Sequence, residues 1–139
     1  MIAFDTDVLT EILLDNRAFV DRAACVPQGQ QAIPIVVVEE ILRGRLNVIR
    51  RAEAGKAPVS IARAYELFRR SLADFARITV LPYTPQAESL VEHRRQQKVR
   101  VATHDLRIAA ICVDHSATLI SRNRRDFDRV PRLSVEYWD

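Results

Sequence analysis

Glycine is scarce in this chain, three residues in 139, and no repeat, low-complexity tract or linker interrupts it. Residues 1–139 therefore read as one compact, ordered domain with a usable core. Apolar residues make up 48% of the chain, yet no apolar run is long enough to span a bilayer. No basic segment precedes Met1-Ile2-Ala3-Phe4, and Asp5 interrupts that run early, so it is not a secretory signal. No membrane partner is expected, and the address these features imply is the cytoplasm. Cysteine is limited to two residues. Cys112 lies in Ile108-Ala109-Ala110-Ile111-Cys112 and Cys25 in Ala23-Ala24-Cys25-Val26. Both read as small buried apolar residues, and neither has metal-ligand spacing. His93, His104 and His115 lack liganding spacing too, and no Ser-His-Asp or Cys-His set is present. Lysine is nearly absent: apart from Lys56 and Lys98 the basic residues are arginines, which suit bidentate phosphate contacts. The formal charge of +3 and a pI of about 9.2 lean toward a nucleic-acid partner.

What is present is an alternation of strand and helix signals. Residues 2–5 read as a buried first strand feeding a helix from Thr6 to about Asp15, with Val8, Leu9, Ile12 and Leu13 inward. Arg17 to Val26 reads as a short helix stopped by Pro27 and the turn at Gly29. A strand at 32–35 precedes a helix carrying Val37, Val38, Ile41, Leu42, Leu46 and Ile49, which should end near Gly55. Residues 59–77 form a further helix with Ile61, Tyr65, Phe68, Leu72 and Phe75 on one side, expected to cover the core in preference to a partner. A strand at 79–81, helices at 85–97 and 105–115, a strand at 117–121 and a last strand at 133–136 complete the pattern. Such alternation predicts an α/β fold with a parallel sheet.

Four acids stand at one kind of place. Asp5 follows the first strand, Glu40 follows the second, Asp105 opens the Ile-Ala-Ala helix, and Asn123 and Asp126 follow the strand at 117–121. Each has a bland reading: Glu40 as an acid favoured by a helix N-terminus, Asp105 as a plain N-cap. Together they put carboxylates at the carboxyl edge of one sheet, where chemistry gathers in open α/β folds. Crowded carboxylates raise one another's pKa unless a cation is present. An all-oxygen acidic site suits Mg²⁺ or Mn²⁺ rather than zinc. Such an ion activates water and neutralises phosphodiester charge.

At these residues the sequence resembles a known family. Ile2-Ala3-Phe4-Asp5-Thr6-Asp7-Val8-Leu9, Val38-Glu39-Glu40-Ile41-Leu42-Arg43-Gly44, Asp105-Leu106-Arg107-Ile108-Ala109-Ala110 and Thr118-Leu119-Ile120-Ser121-Arg122-Asn123-Arg124-Arg125-Asp126-Phe127 look like the motifs of PIN-domain ribonucleases, in order and over nearly the whole chain. The nearest group is the VapC-type toxins of toxin–antitoxin pairs. The resemblance implies a three-layer α/β/α sandwich with a central, mostly parallel sheet. It also implies metal-dependent hydrolysis of RNA, a homodimer, and an antitoxin partner whose tail covers the acidic groove. Carried over by position, Asp5, Glu40, Asp105 and Asp126 are the catalytic, metal-holding acids, with Thr6 and Asn123 in support. Family members place the fourth polar residue at either the Asn123 or the Asp126 position. Where the family commonly has Asn, this chain has Asp7, which adds negative charge beside the site.

Arg94, Arg95, Arg100, Arg122 and Arg124 are candidates to hold flanking phosphates. Two other readings compete. One is a non-catalytic PIN-like module that only holds RNA or a partner. The other is a haloacid-dehalogenase-type phosphatase, whose paired-acid motif Asp5-Thr6-Asp7 imitates; that fold usually has Thr or Val where Leu9 stands, and is usually longer.

Overall fold

The computed structural model describes residues 1–139. Its elements run β1 (Ile2–Phe4), α1 (Thr6–Leu13), α2 (Arg17–Ala24), β2 (Gln31–Pro34), α3 (Ile35–Glu53), α4 (Ile61–Phe75), β3 (Thr79–Leu81), α5 (Pro85–Gln96), α6 (Thr103–Asp114), β4 (Thr118–Ser121), α7 (Arg124–Phe127) and β5 (Val135–Tyr137). The five strands form one sheet in the order β3-β2-β1-β4-β5. Every pairing is parallel, so the sheet expected to be mostly parallel is wholly so. Parallel neighbours need crossovers, and right-handed crossovers put α1–α4 on one face and α5–α7 on the other. This is the expected three-layer sandwich. No helix is long and apolar enough to cross a membrane.

Local chemistry sets the boundaries. Ser60 caps α4 by accepting from Arg63 N–H at 3.1 Å, and Thr84 caps α5 by accepting from Ala87 N–H at 3.1 Å. Gly55, at φ +69°, ends the turn after α3, as its left-handed backbone requires. A buried cluster running from Ala3 to Trp138 joins both helical layers to the sheet. Phe4, Ile33, Leu119 and Ile120 fill its strand layer, and Leu9, Ile108, Ile111 and Phe127 its helical layers.

Three expectations need correction. In α4 the buried residues are Ala64, Ser71 and Phe75, while Ile61, Tyr65 and Leu72 remain 46%, 53% and 47% exposed. The helix packs against α3, and its small residues face that seam; Arg45 Nε donates to Ser71 Oγ across it at 3.0 Å. Large side chains at the same helical spacing fall on the flank. On α3, Leu46 is likewise turned outward, and Val36, Val37 and Ile49 are the buried residues. Cys25 is exposed at the end of α2, where its thiol reaches the Asp21 carbonyl; Cys112 is buried as expected.

Candidate active site

The chain moves one way from β1 through β2 and β3, and the other way through β4 and β5. The switch therefore falls between β1 and β4, where Phe4 lies opposite Ile120. In an open α/β sheet a crevice opens there, beyond the carboxyl ends of the strands. Asp5 is the first residue past β1, and Ser121 is the last of β4.

Asp5 is 5% exposed. Its Oδ1 accepts from Thr6 N–H at 2.8 Å, and its Oδ2 accepts from the Ser121 hydroxyl at 2.7 Å. Its own N–H donates to the Ile120 carbonyl at 2.9 Å, which fixes it on the seam. Burial, and then the neighbouring Asp7 carboxylate, push its pKa up to about 7; the hydrogen bonds from Ser121 and Thr6 oppose that rise, and Asp105 adds to it.

Asp105 is the third residue of α6, inside its first turn, and Ala102 holds the cap position without a side-chain bond. The N-cap reading is therefore wrong: its carboxylate points to the other acids. Burial raises its pKa to about 6, helped by Asp126, Glu40 and Asp7. Glu40 is the sixth residue of α3, beyond the first turn, so the helix N-terminus does not explain it. The Thr6 hydroxyl donates to Glu40 Oε2. His104 lies beside the glutamates: Nε2 is 3.3 Å from Glu39 Oε1 and Nδ1 is 3.9 Å from Glu40 Oε1.

Asn123 caps α7, accepting from Asp126 N–H at 3.3 Å and donating Nδ2 to Asp126 Oδ2 at 3.0 Å. Asn123 N–H in turn donates to Ser121 Oγ at 3.0 Å. Asp126 faces Asp105 while Asn123 holds it. Asp7 has both oxygens on backbone amides, Val8 N–H at 2.7 Å and Arg122 N–H at 3.2 Å, so it ties α1 to the loop after β4.

The acids expected from the sequence are thus close enough to act on one another electrostatically: Asp5 with Asp7 and Asp105, and Asp105 with Glu40 and Asp126. No three acidic, cysteine or imidazole side chains close into a ready ion cage as they stand. The donor set is all oxygen, which fits a hard divalent ion such as Mg²⁺ or Mn²⁺.

Of the candidate arginines, one is buried and two are paired on the surface. Arg94 is buried, donating to Gln97 and to the Pro131 carbonyl. Arg122 is engaged by Glu11 and lies over Phe19, and Arg124 pairs with Asp139 over Tyr137. Arg95 stays exposed and donates to the Thr103 hydroxyl. Ser121, fully buried, is the site residue that sequence reasoning missed. Its signal was a hydroxyl ending an otherwise apolar strand at the site edge.

The chain belongs to the PIN-domain family, whose pattern it matches over residues 2–133. It is 28% identical over 107 residues to Ribonuclease VapC1 of Rickettsia felis, covering 77% of this chain and 75% of that protein. Its fold superposes on the crystal structure of VapBC2 from Rickettsia felis bound to a promoter DNA fragment with a TM-score of 0.77, at 20% identity and full coverage of both chains. The DNA-bound VapBC of Salmonella typhimurium gives 0.76 at 18% identity, again over both whole chains.

Proposed function

We propose that this protein is an endoribonuclease that hydrolyses RNA phosphodiester bonds with Mg²⁺ or Mn²⁺. The observation that carries the reading is the gathering of Asp5, Glu40, Asp105 and Asp126 at one sheet edge, where burial and neighbouring acids raise Asp5 to about 7 and Asp105 to about 6. Buried carboxylates held against their own repulsion are costly to the fold and useful to a cation. Asp5, Glu40, Asp105 and Asp126 would hold the ion, which when bound supplies charge neutralisation and a more acidic water. Ser121 and Thr6 N–H orient the Asp5 carboxylate, and the Thr6 hydroxyl orients Glu40. Asn123 fixes Asp126 toward Asp105. Asp7 is fastened to backbone amides and does not stand free as a general acid, which disfavours the phosphatase reading.

The same reading makes the protein the toxin of a toxin–antitoxin pair and a homodimer. Its likeness to VapC1, a ribonuclease, supports the activity, and its likeness to VapBC complexes supports an antitoxin partner. The test is cleavage of single-stranded RNA. The wild type should cleave with Mg²⁺ and fail in EDTA. Asp105→Asn should fail in both, and Glu92→Gln, on the exposed face of α5, should remain active. Wild-type cleavage by Asp105→Asn refutes the acid assignment; RNA bound but never cleaved would favour the non-catalytic module.

A further inference from the structure

A second feature adjoins Glu40. An open pocket of about 450 Å³ is lined by Glu40, Arg43, Gly44, Asn47, Arg50 and His104. It contains no apolar residue, so it offers nothing to the apolar core of a protein interface. Five of its residues form a stripe on α3, at the spacing that places side chains on one helical face. Arg43 is committed to Glu39 at 2.7 Å, whereas Arg50 and Asn47 have no side-chain partner.

Gly44 sits in the middle of this stripe. Mid-helix glycine costs roughly 0.5–1 kcal/mol against alanine. Close packing does not explain it, because a Cβ placed there would meet no atom within 4 Å. The gap is a notch open to solvent, with Glu40 on one side and Asn47 and Arg50 on the other. Arg50 lies ten residues beyond Glu40, ~15 Å along the helix at 1.5 Å per residue. An acidic centre repels polynucleotide phosphates, so attraction must come from cations set to the side of it.

We infer that this notch is a backbone seat for single-stranded RNA, with the strand passing over Gly44 while Asn47 and Arg50 take phosphates flanking the bond to be cut. The inference rests on the ribonuclease reading and adds to it the direction of the strand along α3. Gly44 permits the sugar–phosphate chain to approach the helix backbone. Asn47 donates through its amide, and Arg50 supplies the charge. Single-strand grooves of this kind follow the backbone and are salt-dependent.

The test is fluorescence anisotropy with a labelled single-stranded RNA, on Asp105→Asn protein in Mg²⁺ so that binding is read apart from cleavage. Arg50→Ala should weaken binding about fivefold near 50 mM salt and flatten the slope of log affinity against log salt by about 0.7, the loss of one phosphate contact. Gly44→Leu should weaken binding by a similar factor while melting no lower than its parent, since it fills the notch and improves helix propensity. Arg17→Ala, at an exposed position of α2, should bind as the parent does. Unchanged affinity and salt slope in Arg50→Ala, or unchanged affinity in Gly44→Leu, overturns the seat and leaves the nuclease reading standing. A parent protein that binds no RNA also overturns the seat, and only a wild type that fails to cleave RNA with Mg²⁺ overturns the ribonuclease reading.

Discussion

The Ser121 hydroxyl donates to Asp5 Oδ2 at 2.7 Å across the seam between β1 and β4. Both residues sit at strand ends that the sheet register sets side by side, 116 positions apart in sequence. The same Oγ accepts from Asn123 N–H, so one hydroxyl links the first acid to the loop that carries the last. A buried carboxylate without such donors would be protonated over more of the pH range.

Ser121→Ala should therefore destabilise the metal-free protein in a pH-dependent way. At about pH 8 Asp5 is ionised and loses a charge-assisted bond, which costs roughly 2 kcal/mol. At about pH 5 Asp5 is protonated, and the loss should fall to roughly 1 kcal/mol. Denaturant midpoints of mutant and wild type at the two pH values measure this. An equal loss at both would show that Ser121 only fills space.

The wild type carries its own pH dependence. Asp5 is raised from 3.8 to about 7 and Asp105 from 3.8 to about 6. Between those limits the folded protein binds more protons than the unfolded chain, so stability falls as pH rises. The contribution is fully present below about pH 4 and is gone above about pH 7. Half-buried Asp105 contributes less than Asp5 because solvent screens it. Exposed Glu66, lowered from 4.5 to about 2 by Arg69, acts below this window and in the opposite sense. In EDTA the denaturant midpoint should drop between about pH 5 and about pH 8. A midpoint that rises over that interval contradicts the raised carboxylates.

The strands and the acids at their ends were legible because an apolar run followed by an acid has few readings. Asp5, Glu40 and Asp105, with Asn123 or Asp126, could be ordered on one edge from the alternation, while the family resemblance carried the choice of Asp126. Ser121 was not legible, since a serine closing a strand looks like any polar boundary until register puts it against Asp5. The four-residue α7 is too short to show a helical period, and Asn123 shows as its cap only once the turn exists. The large apolar residues of α4 are periodic, but most of their stripe does not face inward. Periodicity gives a stripe, and the partner helix decides which stripe is covered. Ala64 and Ser71 allow α3 close, and that choice leaves Leu72 outside.

That distinction has a measurable consequence on a single helix. Phe75 is 8% exposed and belongs to the core, whereas Leu72 is 47% exposed. Phe75→Ala should cost ~3–5 kcal/mol. Leu72→Ala should cost about 1 kcal/mol or less in dilute, monomeric protein. Equal losses for the two would mean that Leu72 is covered in solution, by the core or by a second copy of the chain.

Removing one charge from the acidic edge should stabilise the protein when no cation is bound. Asp5→Asn is a poor probe: Asp5 takes hydrogen bonds on both oxygens, and an amide keeps only one acceptor. Asp105 is the better choice, because its neighbours Asp126, Glu40 and Asp7 all act to raise its pKa and no hydrogen bond lowers it. Asp105→Asn should melt higher than wild type in EDTA at about pH 8, by ~3 °C for relief of about 1 kcal/mol in a domain of this size. Mg²⁺ at millimolar concentration should raise the wild-type melting temperature by mass action and move the mutant far less. Paired thermal melts in EDTA and in Mg²⁺ give all four values. An Asp105→Asn protein that melts below wild type in EDTA would make Asp105 a structural acid. Wild-type melts that ignore both Mg²⁺ and Mn²⁺ would remove the physical basis for a metal at this edge.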